Sequence, residues 1–215
     1  MPDSAQQRAN LVATQLRTND VNEPRLIKAV LEVPREDFVP GTLKHLAYME
    51  GYIPLMSRRV LLDARSFGKL AQLASISADD SVLDVGCGTG YSTAIFARLA
   101  SRVIGLEEDQ ALAAMARENM RGLSNAEISS ARLSGGLSER APFNVIFLNG
   151  AVERRPDALL DQLAENGRLV CVLRDGAAGH GWLYVKHDGA VGERGAFDAQ
   201  LPVLPGFEKQ HEFVF

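Results

Sequence analysis

Residues 82–91, VLDVGCGTGY, constrain the fold of this chain more than any other stretch, because an apolar run stops there at three alternating glycines. The run is typical of a buried strand, and residues 91–100 continue with helical spacing of apolar side chains. This order predicts a strand–loop–helix unit. Gly86, Gly88 and Gly90 permit positive φ angles and remove side chains that would keep a flat ligand away from backbone N–H groups. The loop is therefore predicted to bind a ligand through its backbone.

The spacing of the glycines disfavours a dinucleotide. A dinucleotide-binding loop places its third glycine three positions after the second, where this chain has Tyr91. The strand predicted over 101–106 ends at Glu107, about 20 positions beyond the loop, where a carboxylate can accept both hydroxyls of a ribose. Glu108 follows and is predicted to share this adenosine-type site. A glycine-rich turn and a solvated acid at a strand end also arise without any ligand.

Asp84 and Cys87 complete the loop. Asp84 lies just before the first glycine, where its carboxylate can orient loop amides or meet an ammonium group, and a phosphate-binding loop has little use for such a charge. S-adenosylmethionine offers an ammonium group and no phosphate. We therefore predict S-adenosylmethionine as the cofactor, ahead of NAD, and expect Cys87 to be a small filler within the cofactor loop.

The composition of the 215-residue chain is that of a globular protein, with 46% hydrophobic and 23% charged residues. This size predicts one domain, or one domain with a small appendage. A formal net charge of -4 gives no bulk attraction to nucleic acid or to an anionic membrane. Cys87 and Cys171 lack the spacing of a zinc site or of a disulfide framework. Since no long apolar run is present, we expect a soluble cytoplasmic protein.

The first 62 residues predict a helical N-terminal extension. Apolar side chains recur at helical spacing over 7–18 and over 23–32. Two prolines favour an extended or single-turn link over 33–40. Residues 41–62 show no long periodicity, and we predict that they form a lid or a cleft wall.

Residues 63–215 predict an α/β core with a doubly wound, mostly parallel sheet, because strands and helices alternate along them. Ligands in such sheets lie outside the carboxyl ends of the strands. Residues 187–190 predict the turn of a hairpin, and residues 213–215 predict a last strand. The predicted core strands are 81–85, 101–106, 126–129, 143–148 and 168–173, and the predicted helices are 63–75, 91–100, 110–121 and 157–163.

Several ordered segments resemble the protein-L-isoaspartate O-methyltransferases along most of the chain. The glycine loop recurs in many methyltransferases, whereas VPREDFVP at 33–40 is much more particular to this family; QLR at 15–17, APF at 141–143 and GRLV at 167–170 also match. The resemblance implies a Rossmann-like, S-adenosylmethionine-dependent methyltransferase fold. It also implies methyl transfer to the abnormal carboxylate of isoaspartyl residues, so the expected partner is a damaged protein or peptide. Neither nucleic acid nor membrane is expected, and the oligomeric state is open.

The position of the family's active-site serine departs from the pattern, because it falls on Asp63. An ionised Asp63 can only accept hydrogen bonds, and it would repel the acceptor carboxylate. Arg65, or the pair Arg58 and Arg59, is predicted either to bind that carboxylate instead or to be solvated.

A second departure concerns the adenine. The family's Gly-Asp-Gly, whose acid accepts from the adenine amine, falls on Ala131, Arg132 and Leu133. We therefore predict that stacking and backbone groups near Arg132 and Leu133 hold the adenine, or that it is held less well. Asn149, directly after the fourth predicted strand, is expected in the cofactor site on its acceptor side.

Two other functions stay open on the sequence. The chain could bind S-adenosylmethionine and methylate another acceptor, or none, and it could be a nucleotide-dependent oxidoreductase, which the glycine spacing disfavours. Methyl transfer from a sulfonium to a carboxylate is an in-line displacement that needs no metal. No metal site is predicted, since the four histidines, His45, His180, His187 and His211, do not cluster at metal-ligand spacing.

Overall fold

The computed structural model describes residues 3–176 and 178–209, and His211 and the strand predicted over 213–215 lie outside the described residues. Helix α1 (Ser4–Leu11) begins earlier than predicted and passes into a π-helical turn, Val12–Leu16, and a 3₁₀ turn, Arg17–Asn19. The predicted bounds of 7–18 are therefore wrong. The Thr14 hydroxyl donates to the Asn10 carbonyl at 2.8 Å, and such side-chain bonds to the helix backbone distort a helix.

The second N-terminal helix confirms the prediction over 23–32. Helix α2 (Pro24–Glu32) starts with proline at its first position, where the missing N–H costs no hydrogen bond. The Glu23 carboxylate caps it by accepting from the N–H groups of Arg25 and Leu26.

The link to the core contains 3₁₀ turns and a short hairpin. The turn Arg35–Phe38 confirms the predicted single-turn link over 33–40, and a second 3₁₀ turn, Gly41–Leu46, follows it in the segment for which no long periodicity was found. Strands β1 (Ile53–Pro54) and β2 (Val60–Leu61) pair antiparallel, and residues 55–59 form the tip between them, which we call the hairpin tip.

A seven-stranded sheet forms the centre of the fold. Its strands are β3 (Ser81–Val85), β4 (Arg102–Leu106), β5 (Ala126–Ser129), β6 (Phe143–Val152), β7 (Leu163–Asp175), β8 (Ala178–His187) and β9 (Ala190–Asp198). They lie in the order β5-β4-β3-β6-β7-β8-β9, with parallel pairing from β5 to β7 and antiparallel pairing from β7 to β9. The predicted mostly parallel sheet and the predicted hairpin, β8–β9, are confirmed.

Four further helices flank the sheet: α3 (Ala64–Ala74), α4 (Tyr91–Phe96), α5 (Gln110–Asn119) and α6 (Asp157–Leu160). Helices α4 and α6 are shorter than the predicted 91–100 and 157–163. After α4 the chain tightens, because the N–H groups of Arg98 and Leu99 donate to carbonyls only three residues back. None of the described helices is long and apolar enough to cross a membrane.

The sheet is buried on both faces. Along β3, Val82 packs into one apolar cluster and Leu83 into a second, as the alternation of strand side chains requires. The first cluster also contains Leu16 from the N-terminal segment, Phe67 from α3 and Phe96 from α4. The N-terminal segment therefore covers one face of the sheet together with these two helices.

Candidate functional site

The glycine loop lies at the carboxyl ends of the two central parallel strands. After β3, the N–H groups of Gly86 and Cys87 donate to the Leu106 carbonyl at the end of β4, at 2.8 and 3.2 Å. Gly86, Gly88 and Gly90 have φ angles of +72°, +58° and +94°, a region that side chains rarely allow. Gly90 is the N-cap of α4, so the loop presents backbone at a helix start as predicted.

Glu107, the acid at the end of β4, is fully buried beside this loop. Its Oε2 accepts from the Gly88 N–H at 2.8 Å and from Arg59 Nη2 at 3.1 Å. Its Oε1 accepts from the N–H groups of Glu108 and Asp109 at 3.1 and 3.2 Å. Since a carboxylate offers about four acceptor directions, protein donors fill all of those on Glu107.

Arg59 contacts both the glycine loop and Glu107, which the sequence did not predict. Its side chain is only 6% exposed, and its Nη2 donates both to Glu107 and, at 2.6 Å, to the Gly86 carbonyl. The prediction that Arg59 binds an acceptor carboxylate or is solvated is therefore wrong, whereas Arg58 is exposed. Arg59 and Glu107 are 48 positions apart in the sequence, so no local pattern could predict that they are in contact.

Asp84 lies beneath the loop, not on a cleft surface. Its oxygens accept from the hydroxyls of Ser92 and Thr93 at 2.7 and 2.6 Å and from the Asn149 amide at 2.6 Å. Burial raises the pKa of Asp84 to about 6, although these neutral donors favour its charged form. Asp84 and Asn149 thus tie β3 to β6, and Asp84 is fully buried and lines neither of the two open clefts described below, which disfavours the predicted contact with an ammonium group.

Cys87 packs inside the loop as a neutral thiol. It is buried, and burial together with the nearby Asp84 and Glu107 carboxylates raises its pKa well above the ordinary value. This agrees with the predicted role of a small filler.

The VPREDFVP segment at 33–40 supports the loop from the other side. Arg35 is buried; its Nε donates to the Ala47 carbonyl at 2.8 Å, its Nη2 donates to the Leu62 carbonyl at 2.5 Å, and its guanidinium lies 4.9 Å from the Tyr91 ring centroid. The Thr89 hydroxyl donates to the Phe38 carbonyl at 2.6 Å. The segment therefore fixes the start of α4.

An open cleft of about 420 Å³ lies outside Glu107. Arg132 and Glu108 line it with the hairpin tip, and their contacts with the adenosine part of a cofactor stay a prediction. Leu133 is buried and does not line the cleft, but its N–H donates to Glu108 Oε2 at 3.2 Å, which fixes the turn after β5.

A larger open cleft of about 850 Å³ contains Asp63. Asp63 is the N-cap of α3, and its Oδ1 accepts from the Ser66 N–H at 2.8 Å. Arg65 also lines the cleft, but its Nε donates to the Asn19 side chain at 3.0 Å. The opposite wall, which no sequence pattern predicted, contains His180 and Asp198 from β8 and β9; His180 Nδ1 and Asp198 Oδ1 are 2.8 Å apart.

Between the two clefts, the hairpin lies against the glycine loop. Leu55, Val60 and Leu62 enclose only about 10 Å³ of space with Gly86 and Asn149, about enough for one water molecule. The hairpin is thus a wall of the site, in the segment predicted to form a lid or a cleft wall.

Relatives of known sequence share most of this chain. The family model of Protein-L-isoaspartate(D-aspartate) O-methyltransferase matches residues 6–191. The chain is 36% identical over 165 residues to a protein-L-isoaspartate O-methyltransferase of Koribacter versatilis, covering 76% of this chain and 74% of that protein. It is 32% identical over 173 residues to one of Photobacterium profundum, covering 80% and 82%.

Solved structures show the same fold. A Plasmodium falciparum protein classed with the protein-L-isoaspartate O-methyltransferases, crystallised with S-adenosyl-L-homocysteine, superposes with a TM-score of 0.80 at 19% identity, over 95% of this chain and 99% of that one. Another protein-L-isoaspartate O-methyltransferase superposes with a TM-score of 0.79 at 21% identity, over 93% of this chain and 66% of that one.

Proposed function

Since the chain belongs to the protein-L-isoaspartate O-methyltransferase family, we propose that it transfers the methyl group of S-adenosylmethionine to the carboxylate of isoaspartyl residues in damaged proteins. The family match over residues 6–191 carries this proposal, because it spans the glycine loop, Glu107 and Asp63 in one stretch of chain.

The residues around the loop fit this cofactor in their chemistry. Gly90 caps α4 without a side chain, so no side-chain cap covers the first backbone N–H groups of this helix, and Glu107 is a carboxylate suited to ribose hydroxyls. Arg132 and Glu108 line the neighbouring cleft, where the adenine belongs by the family pattern. When bound, the cofactor supplies an electrophilic methyl group on a sulfonium.

The acceptor side belongs to the cleft that contains Asp63. A carboxylate acceptor is already ionised near neutral pH, so no general base is required there. The chain's own contribution is to hold the acceptor in line and to keep water out, which proximity effects make worth several kcal/mol. Tyr52 and Ser66 line this cleft with Asp63 and can orient the acceptor by hydrogen bonds.

The charge of this cleft favours a second candidate function, methyl transfer to an acceptor other than isoaspartate. Among the residues described, three carboxylates, Asp63, Glu50 and Asp198, line the cleft, against one arginine, Arg65. Such a cleft holds a carboxylate less readily than a neutral or cationic group.

One set of measurements separates these functions. Transfer of a tritiated methyl group is measured on an isoaspartyl peptide and on its normal aspartyl twin, beside calorimetry with S-adenosylhomocysteine and with NADH. We expect S-adenosylhomocysteine to bind and only the isoaspartyl peptide to be methylated. Binding without methylation of either peptide supports the second candidate. Binding of NADH alone overturns both and indicates an oxidoreductase.

A further inference from the structure

The hairpin tip brings a cation into direct contact with the carboxylate that the proposed cofactor needs. Arg59 Nη2 lies 3.1 Å from Glu107 Oε2, with the two side chains 6% and 0% exposed. The other donors to Glu107 are backbone N–H groups of Gly88, Glu108 and Asp109, which the loop and the start of α5 fix in place. Among the partners of Glu107 in the described part of the chain, Arg59 is therefore the one that can leave without rebuilding the sheet edge.

We propose that Arg59 sets the affinity for the cofactor by competing with its ribose for Glu107, so that the hairpin tip must release Glu107 before the cofactor binds. This inference rests on the proposed function, because it concerns the same S-adenosylmethionine site. A ribose hydroxyl that donates to Glu107 needs a free lone pair on that carboxylate. Of the four described donors that occupy Glu107, Arg59 is the one that belongs to a side chain, so it is the donor that the ribose would replace.

The bonding of Arg59 is that of a group that can be displaced. Its Nε is buried and has no hydrogen-bond partner among the described residues, so the ion pair leaves one polar atom unsatisfied. A Cβ atom on Gly86 would lie only 2.5 Å from Arg59 Nη2, so the guanidinium of Arg59 occupies the space that the glycine leaves open.

Hydrogen bonds within the hairpin tip hold it together as one unit. The Leu55 N–H donates to the Arg59 carbonyl at 2.8 Å and the Arg59 N–H donates to the Met56 carbonyl at 3.0 Å, which closes the tip on itself. Ser57 and Arg58 hold positive φ angles of +55° and +56°. Outside the tip, only two residue pairs join β1 to β2, and the Ser57 hydroxyl donates to Asp109 at the rim. Lifting the tip breaks this Ser57–Asp109 bond and the Arg59 bonds to Glu107 and to the Gly86 carbonyl, and it exposes the partly buried Leu55 side chain.

Competition by Arg59 makes the measured affinity for the cofactor lower than the affinity of molecules in which Glu107 is already released. If only a fraction of molecules has Glu107 released, the apparent dissociation constant is the intrinsic one divided by that fraction. Removing Arg59 should therefore strengthen binding, the opposite of what removing a cofactor contact does.

The test is calorimetric titration of S-adenosylhomocysteine into the wild type, Arg59→Ala, Arg59→Gln and Arg194→Ala. We expect Arg59→Ala to bind at least about tenfold more tightly than the wild type, which corresponds to a released fraction of about a tenth or less. Arg59→Gln, which keeps a donor for the Gly86 carbonyl and protects the fold, should also bind more tightly than the wild type. Arg194→Ala removes the same charge from an exposed residue of β9 that lines neither cleft, and it should bind as the wild type does.

Two results would overturn the inference, and they differ from a failure of the proposed function. If the wild type binds and Arg59→Gln binds equally or more weakly, Arg59 does not compete with the ligand. If Arg194→Ala gains as much affinity as the Arg59 variants, the effect comes from the overall charge of the protein. If no variant binds S-adenosylhomocysteine, wild type included, the proposed cofactor itself is wrong.

Discussion

Asp84 is a carboxylate that the fold encloses among neutral partners. Ser92, Thr93 and Asn149 donate to it, and no cation does so among the described residues. Ionisation of Asp84 in the folded state therefore costs desolvation that hydrogen bonds only partly offset. The same bonds join the end of β3 to β6 and to the start of α4, so Asp84 supports the glycine loop from below.

Asp84 makes the stability of the protein depend on pH. Its folded pKa of about 6 lies above the ordinary value of 3.8, so its contribution is complete below about pH 4 and is lost as the pH rises through 6. We expect the unfolding free energy of the wild type to fall by about 2 kcal/mol relative to that of Asp84→Asn between pH 4 and pH 7, which is most of the effect of the whole pKa shift. Urea unfolding across this range measures it, with Asp79→Asn, an exposed change, as the control. Parallel curves for wild type and Asp84→Asn would contradict the assignment.

Asp63 tests the acceptor cleft. Serine also caps helices well, so Asp63→Ser should preserve the start of α3 and leave the unfolding temperature of the protein nearly unchanged. The substitution removes a negative charge that repels the acceptor carboxylate, and this repulsion is worth a few kcal/mol at an intermediate dielectric. The rate of methyl transfer to an isoaspartyl peptide should therefore rise by about one to two powers of ten. Arg65→Ala in both backgrounds measures whether Arg65 compensates Asp63. Robust wild-type activity that Asp63→Ser diminishes would show that Asp63 assists the reaction.

At the scale of elements, the glycine loop is where backbone conformation and function coincide. Gly88 has a φ of +58°, and a Cβ on it would lie 3.0 Å from the Leu55 side chain of the hairpin tip. Gly122 has a φ of +88° and open space around it. The two glycines thus carry a similar backbone requirement, and only Gly88 belongs to the site.

Alanine substitutions at Gly88 and at Gly122 distinguish the cost of backbone strain from a loss of cofactor binding. Gly88→Ala and Gly122→Ala should each lower the unfolding free energy by about 1 kcal/mol or more, since both force an L-residue to positive φ. Gly88→Ala alone should weaken S-adenosylhomocysteine by about tenfold, the effect of one lost hydrogen bond of about 1.5 kcal/mol. Calorimetry and thermal unfolding on the same samples measure both effects. Equal affinities for the two variants would remove Gly88 from the cofactor site.

The elements that the sequence predicted are those with a local signal. The loop after β3 is marked by glycine spacing and the central strands by continuous apolar runs, and both were confirmed. The β1–β2 hairpin was not predicted, because each strand has two residues and the positive φ angles fall on Ser57 and Arg58 without a glycine to mark them. Arg59 therefore could not be assigned to Glu107, since no local rule connects an arginine to a carboxylate so far along the chain.

At the scale of the whole molecule, the N-terminal segment shares its core with the sheet. Leu16 is 1% exposed and Val21 is 0% exposed, and both would contact a Cβ on Gly68 of α3, at 2.7 and 3.3 Å. The sequence predicted a helical extension over 1–62 and a core over 63–215. That division follows the order of elements, but the periodicity of α1 and α2 could not show which face of the sheet their apolar side chains cover.

A shared core predicts a single unfolding transition. Leu16→Ala removes buried methyl groups at the contact between the N-terminal segment and α3, so the unfolding free energy should fall by about 2–5 kcal/mol. The loss should appear equally in the fluorescence of Trp182, the sole tryptophan, which lies on β8, and in the far-ultraviolet circular dichroism of the helices. Leu31→Ala makes the same chemical change at a side chain that is 40% exposed, and it should shift both urea midpoints by far less. If Leu16→Ala shifts the helical signal while the Trp182 transition stays in place, the first 62 residues unfold on their own, and the cofactor wall formed by the hairpin would then belong to a separate unit.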